Sequence, residues 1–442
     1  MSEITQESLE SKFVNHFEAL ESRINGASAL PFHKVRKEAL ESFKSLGLPG
    51  VKNEEYKYTP IQKVLTKNFD LQGANATDGV SDQFVNDAFI PDLKTNTLVF
   101  INGILSDEYS NIISENLIIK SFKEALEENA EDVAEYLAKY ADYKEDAFVA
   151  LNTALAEHGS FIKIADKQIV EEPIALYFIN DTSANEVHIQ PRNLFVAGKN
   201  SQATFMEIYK TAGDKPSFIN IVSEIVVNEN AHIDFFKIQN NKDSAYQVGT
   251  TQVWQDRSSY FSAYTFTLNG ALVRNNLNIT VDAEGCESHM YGLYLLNGNT
   301  HVDNHTAVDH RKPNCFSNEL YKGILEDQSH GVFNGKVYVR QEAQKTNAFQ
   351  SNKNILLSND AVINTKPQLE IWADDVKCSH GCTTGQLDEE ALFYLQSRGV
   401  GKERARVLLL YAFAAEVLES VKIEPLKKYL EGLISERLHK DF

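Results

Sequence analysis

The chain has 442 residues, a formal net charge of −19 at pH 7 and four cysteines. Its acidic balance, without any basic block, argues against nucleic acid and against an anionic membrane surface as partners. No apolar run approaches the roughly eighteen residues that a membrane helix needs. The acidic, polar first residues do not resemble a signal peptide, and the few cysteines suit a reducing compartment, so we expect a cytoplasmic protein.

Residues 1–158 are predicted to be mainly helical. A second helix is expected over 34–46, where the Gly-Leu-Pro-Gly run that follows ends it. One short strand with its turn is expected at 98–103, and helix is expected again over 121–157. The first helix is indicated by apolar residues at helical spacing, namely Leu9, Phe13, Phe17, Leu20 and Ile24.

Residues 159–382 show a different pattern, in which short alternating apolar runs follow one another with no convincing amphipathic helix between them. Such an array of strands is typical of a sandwich, a barrel or a solenoid, and the pattern alone does not choose among them. The length of the array and asparagines at its turns favour a solenoid, although no strict repeat of fixed period is present. These asparagines are Asn347, Asn352, Asn354, Asn359 and Asn364.

Residues 383–442 are predicted to be helical again. Acidic residues at 388–390 complement the dipole of a helix start, Gly399 stands where a helix ends, and Pro425 opens the last helix. The helix expected over 402–419 carries an apolar stripe that suits a partner-docking surface and a self-contained helical cap equally well. The stripe consists of Val407, Leu408, Leu410, Tyr411, Ala414, Ala415 and Leu418.

The segment 366–399 holds two cysteines, one histidine and a change from strand period to helix period. If 376–380 is extended, Cys378 and His380 share one face of a strand, roughly 6–7 Å apart. A thiolate and an imidazole at that spacing can bind a soft metal or an iron–sulfur fragment. On pattern alone, a hydrogen-bonding role for His380 and a packed thiol at Cys378 are the favoured interpretation.

The remaining cysteines and histidines give a weaker pattern. Cys286 and Cys315 lie alone in the strand region, so neither a zinc ribbon nor a preformed four-cysteine cluster site is expected. A possible metal constellation lies within 301–310, where the first four of five candidate residues alternate onto one strand face. The favoured interpretation is a polar solenoid face or turn. The five residues are His301, Asp303, His305, Asp309 and His310.

Motifs for nucleotide chemistry and for hydrolysis are absent from the sequence. The run 399–402 lacks both the spacing and the hydroxyl of a phosphate-binding P-loop, and no G-x-G-x-x-G follows a strand. Neither H-E-x-x-H nor G-x-S-x-G occurs. We therefore expect no enzyme activity, and any ATP hydrolysis in which this chain takes part belongs to another subunit.

Several motifs resemble those of the SufB/SufD family, the subunits of an iron–sulfur cluster assembly scaffold. The element N-E-E-Y-K-Y-T at 53–59 resembles the family's E-x-W-K-Y-T, with tyrosine in the place of tryptophan. The runs K-P-Q-L-E-I at 366–371 and D-D-V-K-C-S-H-G at 374–381 match almost without a gap, and the K-C-S-H-G form looks like SufD. The chain departs from the family at Cys382 and Thr384, where alanine and valine are commoner.

The resemblance implies a mainly β fold, with a right-handed parallel β-helix core flanked by α-helical N- and C-terminal regions. It implies a non-catalytic, SufD-like scaffold subunit that pairs with a SufB-like sister and a SufC-like ABC ATPase. In such a subunit His380 faces the sister where a nascent iron–sulfur cluster is built, and Cys378 is a second candidate ligand. The cluster is expected to be transient, at a subunit interface, and not stably bound by the isolated chain.

We therefore expect three parts: an N-terminal region 1–158, a β-helix core 159–382 and a C-terminal region 383–442. The last part is expected to dock the ATPase through Leu408, Tyr411 and Leu418, and the isolated chain is expected to form a homodimer through strand edges. Two alternatives stay open: a secreted-type β-helix enzyme acting on polysaccharide, and a homodimeric metal-binding protein on the same fold.

Overall fold

The structure, a computed structural model, describes residues 9–24, 30–68, 80–115 and 117–439. The helices are α1 (Leu9–Arg23), α2 (Pro31–Leu46), α3 (Ile61–Asn68), α4 (Asp82–Ala88), α5 (Phe122–Glu128), α6 (Ala130–Tyr136), α7 (Ala147–Leu155), α8 (Glu389–Ser397), α9 (Lys402–Leu418) and α10 (Glu424–His439). In the part of the chain that the structure describes, no helix is long and apolar enough to cross a membrane.

Twenty strands make up most of the rest. They are β1 (Asn96–Ile101), β2 (Ile104–Leu105), β3 (Leu117–Ser121), β4 (Gly159–Ile164), β5 (Ile174–Asp181), β6 (Val187–Ile189), β7 (Arg192–Ala197), β8 (Gln202–Ala212), β9 (Ser217–Val227), β10 (His232–Asn240), β11 (Ala245–Gln255), β12 (Tyr260–Asn269), β13 (Leu272–Val281), β14 (Glu287–Leu296), β15 (His301–His310), β16 (Phe316–Leu325), β17 (His330–Val339), β18 (Asn347–Leu356), β19 (Val362–Ile371) and β20 (Lys377–Gly385).

The strands form a parallel β-solenoid. From β8 onwards, successive strands alternate between two sheets, so that every second strand pairs in parallel with the strand one coil earlier. We call the sheet that ends in β20 the first sheet and the one that ends in β19 the second sheet. Equivalent positions recur about every 30 residues, as in the register of Tyr260, Glu287, Phe316 and Asn347. The structure therefore resolves the choice among sandwich, barrel and solenoid and confirms the mainly β fold with helical ends.

The core of the solenoid lies between the two sheets, where alternate residues of each strand point inward. Phe205 and Phe235 are register partners in successive coils of the first sheet, and Phe261 lies on the same inner face one coil further on. Most strands are buried on both faces, which is typical of parallel sheets covered by helices. In β5, for example, every residue is buried.

Helices cover the outer faces of both sheets. Helices α1, α2 and α7 pack on the second sheet around Phe218, Val248 and Leu272. Helices α9 and α10 pack on the first sheet, where their apolar residues form one cluster with outward-facing strand residues such as Tyr264 and Ile324. Each sheet is thus enclosed between the solenoid interior and a helical layer over much of its length.

Local sequence signals set several helix boundaries as expected. Gly47 ends α2 with a φ of 65°, which a residue without Cβ adopts at little cost. Asp388 caps α8 by accepting hydrogen bonds from the backbone N–H groups of Glu390 and Ala391. Gly399 follows the end of α8 with a φ of 87°. These three predictions are confirmed.

The single helical stretch predicted over 121–157 is wrong, because the chain leaves the helix between α6 and α7. There the buried carboxylate of Glu224 accepts hydrogen bonds from the backbone N–H groups of Ala138, Tyr140 and Ala141. Glu224 is itself paired with the fully buried guanidinium of Arg192. These N–H groups therefore bond to a side chain of a distant strand, whereas in a continuous helix they would bond to carbonyls of the helix itself.

The two ends of the solenoid differ. At the first end the two sheets finish in the short strands β2 and β3, which pair antiparallel with β1 and β4, where the sequence predicted only one strand. At the last end β19 and β20 have no further described strand beside them, and nearly all of β20 is exposed. Strand β20 runs to Gly385, three residues beyond the predicted core boundary at 382; the three-part division stays a prediction.

Candidate functional site

The candidate site lies at the open last coil of the solenoid. Strand β20 pairs in parallel with β18, which places Cys378 opposite Ala348 and His380 opposite Gln350. The segment is extended, so Cys378, His380 and Cys382 share one face, as the alternation of a strand requires. That face is the inner one, because Cys378 packs against the small apolar cluster around Ala348 inside the last coils.

Cys378 is half-buried, and its burial raises the pKa of the thiol. A raised pKa disfavours the thiolate, which is the form that binds metals. The environment therefore matches the packed thiol that the pattern favoured more closely than a reactive ligand.

His380 and Cys382 are exposed at the same edge. An imidazole is a good ligand for iron and other transition metals. Within the described ranges no group of three or more His, Cys, Asp and Glu residues is arranged to hold a metal ion.

The cluster of polar residues at 301–310 is divided between the two faces of β15. His310 points inward, where its Nε2 lies 2.9 Å from Ser317 Oγ, and burial lowers its pKa to about 4. His301, Asp303 and His305 point outward and contact the segment 53–59.

We call the outward contacts the latch. Thr59 Oγ1 donates to Asp303 Oδ2 at 2.5 Å and lies 2.9 Å from His301 Nε2. The guanidinium of Arg274 lies 3.8 Å from the centroid of the Tyr56 ring and pairs with Asp303 at 2.6 Å. The latch thus joins the N-terminal region to the solenoid. Its members are Glu55, Tyr56, Thr59, Arg274, His301, Asp303, His305 and Lys336.

Electrostatics stabilise the ionised carboxylates of the latch. The hydrogen bond from His305 lowers the pKa of Glu55 to about 2 against the effect of burial, and Lys336 adds to the shift. Burial opposes ionisation of Asp303, but Arg274 and His305 outweigh it and lower the pKa of this carboxyl. The polar-face interpretation of 301–310 therefore agrees with the structure better than a metal constellation does.

The predicted docking residues of the C-terminal region differ in exposure. Leu408 is 46% exposed, Tyr411 is half-buried, and Leu418 is buried in the cluster between α9 and the first sheet. Leu418 is thus part of the chain's own core, because the side of α9 that carries it faces the strands. Phe393 and Tyr394 in α8, which the helical pattern did not single out, are 74% and 57% exposed.

Cys286 and Cys315, each taken as solitary from the sequence, are neighbours in space. Both precede a strand of the first sheet, and the register of β14 with β16 stacks them in successive coils. The interaction between the two thiols lowers the pKa of Cys286 and raises that of Cys315. Their spacing by one coil was the signal that the sequence analysis did not use.

Comparison with known proteins gives a consistent result over almost the whole chain. Residues 178–413 match the SufBD core domain of SUF-system FeS cluster assembly, and residues 7–176 match the N-terminal region of SufBD proteins. An iron–sulfur cluster assembly SufBD family protein of Synechocystis sp. is 32% identical, over 98% of this chain and 97% of its own length.

Two further relatives are more distant. The iron–sulfur cluster assembly protein SufD of Escherichia coli is 29% identical over 90% of this chain and 91% of its own length. A chloroplastic protein of Arabidopsis thaliana is 27% identical over 91% of this chain and 86% of its own length.

Proposed function

This chain belongs to the SufBD family and has a role in iron–sulfur cluster assembly, and from that premise we propose that it is a non-catalytic, SufD-like scaffold subunit. It pairs through its open last coil with a SufB-like sister, and a transient iron–sulfur cluster is assembled at their seam. An ABC ATPase of the SufC type supplies the nucleotide hydrolysis.

The observation that carries this proposal is the position of His380. It lies on the inner face of β20, the last strand of its sheet, and it is exposed because no further coil of the described chain covers that face. A sister solenoid that continued this coil would bring its own side chains next to the imidazole. A cluster at the seam would then take His380 as one ligand and the rest from the sister.

Cys378 has a lesser part in this proposal. Its thiol packs inside the last coils, and burial raises its pKa, so ligation by Cys378 needs both deprotonation and a local rearrangement. We therefore expect Cys378→Ser to impair assembly less than His380→Ala.

The ATPase docks on the C-terminal helices in this proposal. Helix α8 has no buried residue and presents Phe393 and Tyr394 to solvent, and Leu408 of the following helix α9 is exposed as well. Exposed aromatic side chains grouped on one short helix are typical of a protein–protein contact.

The cytoplasm is the proposed compartment, since all four cysteines are free thiols. Membership of the SufBD family leaves the polysaccharide-enzyme alternative without support. A homodimer remains part of the proposal only as the state of the isolated chain.

A His380→Ala variant tests the proposed site. In cells that depend on this gene for cluster assembly, the variant should abolish growth. The free energy of unfolding of the purified variant should stay within about 0.5 kcal/mol of the wild-type value, because the side chain is exposed. Ser379→Ala is the matched control, since Ser379 is the exposed neighbour on the other face of the strand. Normal growth with His380→Ala would remove His380 from the site.

A further inference from the structure

Three polar side chains stack along the solenoid axis, one in each of the last three coils of the first sheet. His380 is the register partner of Gln350, and Gln350 is the register partner of Glu319. Gln350 and Glu319 are 4% and 2% exposed, whereas His380 is exposed. The next position in this row is Met290, so the polar column begins at Glu319 and leads to the open coil.

The amide of Gln350 is held in one orientation. Its Nε2 donates to Glu319 Oε2 at 2.8 Å, and Thr306 Oγ1 donates to Glu319 Oε1 at 2.6 Å. Burial raises the pKa of Glu319 to about 7, and these two hydrogen bonds oppose the rise by favouring the ionised, accepting form. Gly335 of the facing sheet makes room, since a Cβ there would overlap Gln350 Nε2.

The oxygen of the same amide lacks a partner. Gln350 Oε1 is buried and accepts no hydrogen bond from the described residues. Buried polar atoms are nearly always bonded, so an acceptor in this position calls for a donor. Residues opposite one another on neighbouring strands lie about 4.8 Å apart, so the register places His380 next to Gln350 on the same inner face and within reach of this oxygen.

We propose that Gln350 is a positioning residue for His380: rotation of the exposed imidazole about its side-chain bonds brings the proton-bearing ring nitrogen to Gln350 Oε1, which accepts a hydrogen bond from it. A neutral imidazole carries its proton on one nitrogen only, so this bond fixes the tautomer. The other nitrogen is then left with its lone pair free for iron, as outer hydrogen bonds do for metal-binding histidines. Glu319 acts indirectly, because its hydrogen bond with Nε2 orients the amide of Gln350. The inference rests on the proposed function and adds a residue to the same site.

The tautomer of His380 gives a test that does not depend on cluster assembly. In the full-length chain labelled with ¹⁵N-histidine, long-range ¹H–¹⁵N spectra should show one dominant tautomer for His380. The signals of His380 are assigned as those that disappear in the His380→Ala variant. In Gln350→Met, which keeps the length of the side chain but has no acceptor oxygen, both tautomers should appear. Ser351→Ala, the outward-facing neighbour, is the control and should leave the spectrum of His380 unchanged.

Cluster assembly gives the second readout. Gln350→Met should reduce assembly about 10-fold, as loss of an outer hydrogen bond to a metal ligand does. Glu319→Leu should have the same two effects by releasing the amide, whereas Glu319→Gln keeps an acceptor for Nε2 and should stay near wild type.

Two results would overturn the positioning role. One is a mixture of tautomers in the wild-type chain, which needs no variant to fold. The other is an unchanged tautomer in Gln350→Met or, if that variant fails to fold, in Glu319→Leu. A fixed tautomer together with normal growth of His380→Ala would instead overturn the proposed function and leave the hydrogen bond standing.

Discussion

At the scale of single residues, polar side chains inside and around the solenoid fix the position of the N-terminal region, whereas the apolar ones form the core. The latch joins the segment 53–59 to β15, and Glu224, paired with Arg192, accepts hydrogen bonds from backbone N–H groups at 138–141. Both sets of contacts attach the N-terminal region to the strands. Removing one partner of such a buried pair leaves a charge without compensation, which costs about 3–5 kcal/mol. These residues therefore specify where the N-terminal region docks.

Glu55→Gln should make the stability of the protein less dependent on pH. The folded pKa of Glu55 is about 2, below the value of about 4.3 in an unfolded chain, so its contribution is present above pH 4.3 and is lost as the pH falls towards 2. Because Glu55 is 39% exposed, solvent screening limits the loss at pH 7 to about 1 kcal/mol.

Urea unfolding at pH 7 and at pH 3 measures this difference for Glu55→Gln. Glu41→Gln, a change at an exposed carboxylate of α2, is the control and should alter neither midpoint. A difference from wild type that is equally large at both pH values would contradict the linkage.

At the scale of elements, the three C-terminal helices differ in what they contact. Helices α9 and α10 bury Leu410, Leu418 and Leu430 in one cluster with the first sheet. Removing these two helices would therefore expose the apolar outer face of that sheet. Helix α8 buries nothing. A test of docking therefore has to change surface residues of α8 and leave α9 and α10 in place.

Phe393→Ser combined with Tyr394→Ser should weaken binding of the ATPase at least 10-fold, since aromatic anchors contribute most of the energy at such contacts. Pull-down and calorimetric titration with the purified ATPase measure the effect. The unfolding temperature should not change, because both side chains are exposed.

The control is Val51→Ser, a change at an exposed apolar residue of the N-terminal region. Full-strength binding by the α8 variant would move the docking surface elsewhere.

At the scale of the whole molecule, the solenoid has one end completed by antiparallel strands and one open end. An open coil presents unpaired backbone groups of β19 and β20, together with the exposed side chains of Ile371 and Trp372. Free edges of this kind invite pairing with another chain. The two ends thus differ: the first finishes in the short antiparallel strands β2 and β3, and the last finishes in the longer parallel strands β19 and β20, which we propose as the seam.

The isolated chain should therefore form a homodimer through its last coil at micromolar concentration. Light scattering after size exclusion should give twice the chain mass, and small-angle scattering should show an elongated particle. Ile371→Lys with Trp372→Lys should shift the protein to monomer by placing like charges at the edge. Ile169→Lys, at an exposed apolar residue far from β20, is the control. A compact wild-type monomer would rule out this mode of pairing.

The sequence alone determined the features that depend on neighbouring residues: the strand period of the core, the helical ends, the helix boundaries at Gly47 and Asp388, and the motifs around His380. Only the tertiary structure decided which residues meet across coils. Stacking brings Glu319, Gln350 and His380 into one column, yet each is about 30 residues from the next.

The latch joins residues more than two hundred positions apart, such as Thr59 and Asp303. Leu418 was assigned to a docking stripe because helical period shows that a face is apolar without showing what covers it. Periodicity reports the burial of a face, whereas contact partners follow from how the elements pack. For that reason periodicity predicted a core of strands between helical ends, whereas the choice of a solenoid depended on the family resemblance, and the polar groups around the site were not predictable.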